Sequence, residues 1–171
     1  MIAVAIAGDL AGASPAVNGF LLIAAGAAFL DRAGEAFVGR AALRGEILAL
    51  GGSAALAGAG LSLTGLARLD LPVPELAGLH LLTMGGLGLG VLAVFSIAGR
   101  LHTGRALKPD TTIKAVVFLL LTAAAIRTLA AFGLTVGAGV GAGHLVASLA
   151  WAGAFLLWLR RYWPWLSEAR G

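Results

Sequence analysis

The chain has 171 residues, of which 60% are hydrophobic and 12% are charged, and its mean hydropathy is +0.97. Soluble domains carry about 25% charged residues, so this composition excludes a disordered chain and argues strongly against a soluble globule. The formal net charge of +4 does not indicate nucleic-acid binding, because the basic residues are spread between apolar runs. The absence of cysteine excludes disulfides and thiolate metal sites.

Five apolar stretches are long enough to cross a bilayer, which takes roughly 20 residues of helix. None of them alternates as a barrel strand does, so we predict an all-α fold, a polytopic transmembrane helical bundle of about five spans. The whole chain, residues 1–171, is predicted to form a single domain. The spans are predicted at about residues 14–30, 46–67, 76–99, 112–132 and 139–159. Residues 1–13 are apolar but interrupted by Asp9, and they are not counted as a span.

The basic residues predict the orientation of the bundle. With five spans, the segments on one side contain ten of them, and the other side receives only Arg68. Because cytoplasmic loops are the ones enriched in Lys and Arg, we predict that the N-terminus is outside and the C-terminus inside. The ten residues are Arg32, Arg40, Arg44, Arg100, Arg105, Lys108, Lys114, Arg160, Arg161 and Arg170.

Small and aromatic residues predict how the helices meet each other and the membrane. Gly86 and Gly90, four residues apart within an apolar span, are predicted to allow close helix packing rather than to form a nucleotide loop. Four aromatic residues at the inner end of the last span predict an interfacial aromatic belt. They are Trp158, Tyr162, Trp163 and Trp165.

Three ionisable residues lie inside the predicted spans away from the polar residues at their cytoplasmic ends, where burying a polar group in lipid is costly. They are His80, Arg127 and His144, and the alternating span directions place all three in one layer near the outer side. Neutral imidazole binds iron, copper and zinc, and two histidines from facing helices can serve one haem as axial ligands. We therefore predict a cofactor site made by His80 and His144, with Arg127 pairing with haem propionates at its rim. The structural alternative is that each histidine hydrogen-bonds a neighbouring helix and Arg127 extends to the outer surface.

The third histidine belongs to the opposite face. His102 is 22 residues after His80, or about 33 Å along an α-helix, so one site cannot hold both side chains. We keep His102 as a separate candidate metal ligand at the inner face. The structural alternative is that His102 is a solvated loop residue and binds no metal.

Two motifs carry a family resemblance. The segment His80–Gly85 (HLLTMG), followed by Arg100–Leu107 (RLHTGRAL), resembles the NnrS family of haem- and copper-containing membrane proteins, which has an H-x-L-T-x-G helix leading to a G-H-T-G-R-P-L turn. The similarity runs from about Ile47 to the C-terminus and corresponds to the C-terminal part of the family. Three further segments are similar to its Arg-containing helix and its last helix: Ile126–Ala130 (IRTLA), Trp151–Phe155 (WAGAF) and Arg161–Pro164 (RYWP).

The resemblance implies a haem-binding protein of the bacterial inner membrane, with copper as a further metal, linked to nitric oxide and nitrosative stress. Family members have longer chains and more spans, so the resemblance implies a short relative, a fragment, or one half of a split protein whose missing helices a partner subunit or a second copy supplies. The bilayer itself is the other expected partner. A non-redox membrane subunit or scaffold in a larger assembly is the alternative of a different class. No residue is assigned a catalytic role.

Overall fold

The computed structural model describes residues 2–37, 39–108, 110–134 and 140–167. These parts of the chain contain helices and no strand. The helices are α1 (Ile2–Leu10), α2 (Pro15–Gly34), α3 (Gly45–Ala67), α4 (Glu75–His102), α5 (Thr111–Ala131) and α6 (Val140–Ser167), with a 3-10 turn at Gly39–Leu43.

The all-α prediction of five spans is confirmed, because α2 to α6 are each long and apolar enough to cross a membrane. The predicted boundaries are short at the C-terminal ends of two spans: α4 continues to His102 and α6 to Ser167. The predicted spans end at the first polar residues after each apolar run. The helices themselves continue, because backbone hydrogen bonds do not depend on the polarity of the side chains. The predicted start of the last span, residue 139, lies outside the described residues. Which terminus faces which side of a membrane stays a prediction.

The ends of the helices follow local sequence signals. Ser14 caps α2, with its hydroxyl accepting a hydrogen bond from Val17 N at 3.4 Å, and Pro15 takes the first helical position. Asp110 caps α5 in the same way, accepting from Thr112 N at 2.9 Å. Gly104 has a φ of +67°, a conformation that favours glycine, and it turns the chain after α4.

The helix α1 is an addition to the predicted spans, and ionic contacts attach it to the rest of the bundle. Arg68, at the end of α3, donates to the Asp9 carboxylate at 2.6 Å and to Glu75 Oε1 at 3.2 Å. Asn18 also donates to Asp9. The hydrogen bond to Asp9 is the main cause that raises the pKa of the Arg68 guanidinium above its ordinary value. The residue that interrupts the apolar N-terminal run therefore joins α1 to α2 and to the end of α3.

Close backbone packing joins α3 to α4, as the glycine spacing predicts. A Cβ added at Gly86 would lie 2.9 Å from Ala57 N, and one at Gly90 would lie 2.9 Å from Ser53 Oγ. Ser53 also donates to Gly86 O at 2.7 Å. The prediction of close packing at these two glycines is confirmed.

The buried core around Tyr162 is built mainly on α4, α5 and α6, with Ala49 contributed by α3. Tyr162 is fully buried and Trp158 is 8% exposed; their rings stack with centroids 4.7 Å apart. Trp158 Nε1 donates to Ser96 Oγ at 3.0 Å. The prediction of an interfacial belt is therefore wrong for Trp158 and Tyr162. Trp163 is 62% exposed, which is compatible with a position in such a belt.

The outer surface of the bundle is apolar. Large hydrophobic side chains such as Leu87, Phe118 and Leu156 are each more than 60% exposed. Their exposure would be unfavourable in water and is natural against lipid tails. The chain is a multi-pass membrane protein.

Candidate functional site

The clearest polar contact within the spans joins α4 to α5. His80, one turn and a half into α4, is 8% exposed. Its Nδ1 lies 3.1 Å from the backbone oxygen of Arg127, and its Nε2 lies 3.3 Å from Nη2 of the same residue. The structure thus brings together two residues that the sequence placed at one depth, although 47 positions separate them.

These two contacts define the tautomer of His80. A carbonyl oxygen can only accept, so Nδ1 carries the proton and donates to Arg127 O. A guanidinium can only donate, so Nε2 holds a lone pair and accepts from Arg127. The side chain is a neutral imidazole whose lone-pair nitrogen points at a cation. Neutral imidazole with an Nδ1–H···O=C hydrogen bond is also the form in which histidine commonly binds metals through Nε2.

His144 lies one turn into α6 and is partly exposed. Its helix packs mainly against α5. Over the described residues, no hydrogen bond holds its imidazole. The ring is therefore less constrained than that of His80.

The polypeptide next to His80 is not a regular α-helix. Residues Leu81–Leu87 form a π-helical segment within α4, with i to i+5 hydrogen bonding. This shifts the register, so residues four apart in this segment do not share one face of the helix as they do in an α-helix. The hydroxyl of Thr83 donates to Leu79 O at 2.7 Å and is occupied by its own helix. π-helical segments are rare in proteins, and those that do occur are frequently located at functional sites.

His102 ends α4 at the opposite side of the bundle. Because α4 is continuous from Glu75 to His102, the prediction that one site cannot hold both His80 and His102 is confirmed. His102 is an exposed side chain, with contacts of its own at that end.

Sequence reasoning missed a buried ionic network at the end of the bundle where α4 and α6 finish. Arg100 is 4% exposed; its guanidinium donates to Asp110 Oδ2 at 2.8 Å and to Tyr162 Oη at 3.1 Å, and it lies 3.6 Å from Glu46 Oε1. Arg161 donates to the same oxygen of Asp110 at 3.2 Å. The sequence feature that could have indicated this network is Asp110, an acidic residue in an otherwise basic loop.

The donor set near His80 is small. Across residues 2–37, 39–108, 110–134 and 140–167, no three or more His, Asp or Glu side chains are grouped as a metal ion would require. The site thus offers at most two imidazoles and one guanidinium. That is too few for a closed zinc site, which takes four protein ligands.

Comparison with known proteins gives one match. The family model described as NnrS protein matches residues 1–170. The match begins at the first residue, so the similarity extends well before Ile47, where the motifs first indicated it. Neither the search of curated proteins nor that of solved structures found a match.

Proposed function

Because the chain belongs to the NnrS family, we propose that it is a haem-binding protein of the bacterial inner membrane that acts in the response to nitric oxide and nitrosative stress. The observation that carries the proposal is the state of His80: a buried neutral imidazole, oriented by the Arg127 carbonyl through Nδ1, with a lone pair on Nε2. Copper is the second metal that this ligand chemistry accommodates.

The donor set fits haem better than a metal ion bound by protein alone. A porphyrin itself supplies most of the ligands of its iron, so the protein would have to provide only one or two. His80 and His144 are the residues that would hold the iron. A haem bound there would supply an iron that changes oxidation state and binds a diatomic gas such as nitric oxide.

Arg127 has two separate tasks in this proposal. Its backbone carbonyl orients His80. Its guanidinium donates to Nε2, so it would have to move away for Nε2 to bind iron. In that position it would be able to pair with a haem propionate. Arg127 is therefore a positioning residue and a charge partner, and not a ligand.

The test is the visible spectrum of the protein purified after expression with ample haem. We expect a Soret band that is lost in His80→Ala and strongly reduced or lost in His144→Ala. His102→Ala is the matched control, because it removes the same side chain at the other end of α4, and it should retain the band. A colourless wild-type protein, or equal loss in the control, would overturn the proposal.

A non-redox subunit or scaffold is the second candidate. It is favoured by the fact that both ring nitrogens of His80 are already satisfied within the chain, as a structural histidine requires. In that case the protein stays colourless, and His80→Ala lowers its thermal stability without any spectral change.

A further inference from the structure

The π-helical segment Leu81–Leu87 is bound from another helix. Ser53 of α3 is half-buried, and its hydroxyl donates to Gly86 O at 2.7 Å. The segment itself follows the i to i+5 pattern, with Gly88 N bonded to Thr83 O. Hydrogen bonds of this kind enclose one residue more than those of an α-helix, so the interruption accommodates an extra residue in α4.

Contacts with α3 show what the extra residue does. A Cβ added at Gly78 would lie 2.6 Å from Gly60 O, so Gly78 faces α3. A Cβ added at Gly86 would lie 2.9 Å from Ala57 N, so Gly86 faces α3 as well. In a regular α-helix, residues eight apart point about 80° away from each other, whereas residues seven apart point within about 20°. With the extra residue accommodated between them, the two glycines behave as residues seven apart and lie on one face.

The same shift turns His80 toward α5. Its Nδ1 lies 3.1 Å from Arg127 O. A Cβ added at Gly88, eight residues further on, would lie 3.9 Å from Leu120 Cδ2, so Gly88 also faces α5. The half of α4 after the segment is fixed separately, because Arg100 is buried in its ionic network. A return of the segment to regular α-helix would therefore rotate His80 by about 100° about the helix axis, away from Arg127.

We propose that Ser53 is a positioning residue for His80: its hydrogen bond to Gly86 O holds the π-helical segment, and the segment turns the imidazole toward Arg127. Because π-helical segments are rare, regular α-helical hydrogen bonding is the expected alternative when the donor from α3 is lost. Inside a membrane, no water replaces that donor. The inference rests on the proposed function for its meaning, since His80 is there assigned to iron, but its test needs no haem.

The experiment is nuclear magnetic resonance of the full chain, isotope-labelled in the histidine ring nitrogens and purified in detergent without haem. The chain has three histidines, and His80→Ala assigns the resonances of His80. Wild-type His80 is expected to show one protonated and one unprotonated ring nitrogen, because Arg127 holds both. In Ser53→Ala the two resonances should merge toward the averaged position of an imidazole that exchanges between its tautomers.

Two variants separate the hydrogen bond of Ser53 from its packing. Ser53→Thr keeps the hydroxyl and should keep the two resonances apart; the side chain lines a cavity of about 630 Å³, which has room for the added methyl group. Ser62→Ala is the matched control, because it removes the same hydroxyl from α3, where it donates to Gly58 O of its own helix at 2.9 Å. It should leave His80 unchanged.

Deletion of Thr83 tests the segment directly. It removes the extra residue, so α4 can become a regular helix with His80 still turned toward α5. In that background Ser53→Ala should no longer affect the two resonances. When Ser53→Ala alone fails to fold, recovery of the folded protein by the deletion supports the proposal, and failure to recover it overturns the proposal.

The outcomes also separate this inference from the proposed function. Two distinct His80 resonances in folded Ser53→Ala, or equal merging in Ser62→Ala, overturn the positioning role. A colourless wild-type protein with the expected resonances overturns the proposed function and leaves the positioning role of Ser53 standing. A Soret band in the wild type, together with unchanged His80 resonances in Ser53→Ala, does the reverse.

Discussion

The imidazole of His80 is bound at both nitrogens by one residue, Arg127, which accepts from Nδ1 through its backbone oxygen and donates to Nε2 through its side chain. The backbone contact survives any substitution of the arginine side chain, whereas the contact at Nε2 does not. The orienting and covering functions of Arg127 can therefore be separated by mutation.

Arg127→Ala is expected to leave His80 oriented and to expose Nε2. In the haem-loaded protein the variant should lose cofactor faster, because the charge partner of a propionate is missing, while the iron keeps its axial ligands. The measurements are the rate of haem transfer to apomyoglobin and the low-temperature electron paramagnetic resonance spectrum. Arg127→Lys keeps the positive charge and should recover part of the retention. A change of iron ligation in Arg127→Ala would contradict the assigned role.

The topology is tested with reporter fusions. A fusion after Ser167 is expected to report the cytoplasm, and one before Ile2 the outside, because the basic residues gather at the end where α6 finishes. Paired alkaline phosphatase and green fluorescent protein fusions make the assignment. Finding both termini on one side would contradict the five-span arrangement.

Gly86→Ala is expected to destabilise the contact between α3 and α4. The new Cβ would lie 2.9 Å from backbone and side-chain atoms of Ala57, and such overpacking costs about 1–3 kcal/mol. Gly153→Ala is the control, since nothing lies within 4 Å of a Cβ there. Thermal unfolding in detergent should show a lower midpoint for the first variant and an unchanged or higher one for the second. A midpoint of Gly86→Ala equal to that of the wild type would show that α3 shifts at no cost in stability.

Tyr162→Phe is expected to lower the free energy of unfolding by about 1–3 kcal/mol. The hydroxyl accepts from buried Arg100 at 3.1 Å and donates to Ser96 O at 3.3 Å, and phenylalanine leaves both groups with one partner fewer. Trp163→Phe is the comparison, because Trp163 is 62% exposed and its replacement should change stability by less than about 0.5 kcal/mol. The experiment is denaturant unfolding in mixed micelles. A neutral Tyr162→Phe would mean that another group replaces the hydroxyl.

Arg68→Ala is expected to loosen α1. Its ion pair with Asp9 joins two partly exposed side chains, so the loss in stability should stay below about 1 kcal/mol, while amide exchange in residues 2–14 accelerates. The pKa of Arg68 is raised, so its contribution is complete below the pKa of the unfolded state and is lost only as the pH rises through the folded value. The difference between variant and wild type should therefore be the same at about pH 6.5 and 8.5, where the carboxylates are ionised. A difference that changes over this range would implicate another titrating group.

Sequence alone determined the number of spans, the helical fold and the depth of the ionisable residues. Each follows from the length of apolar runs and from the high cost of charge in lipid, which are properties of one segment at a time. The shared layer of His80 and Arg127 is a case in point, since span directions were enough to place both near one end. The close approach at Gly86 and Gly90 likewise followed from residue size.

Only the tertiary structure decided the rotation of each helix about its own axis, that is, which of its faces points into the bundle. The spans are apolar on nearly every side, so their sequences carry little periodicity that would mark the inward face. Trp158 and Tyr162 illustrate this, because they read as interface residues and yet lie in the core. The π-helical segment after His80 shifts the register in a way that a regular helix pattern does not foresee. The ionic network of Arg100, Asp110 and Tyr162 exists only because a loop and the end of a distant helix meet there, and side chains so far apart in sequence are brought together by packing alone.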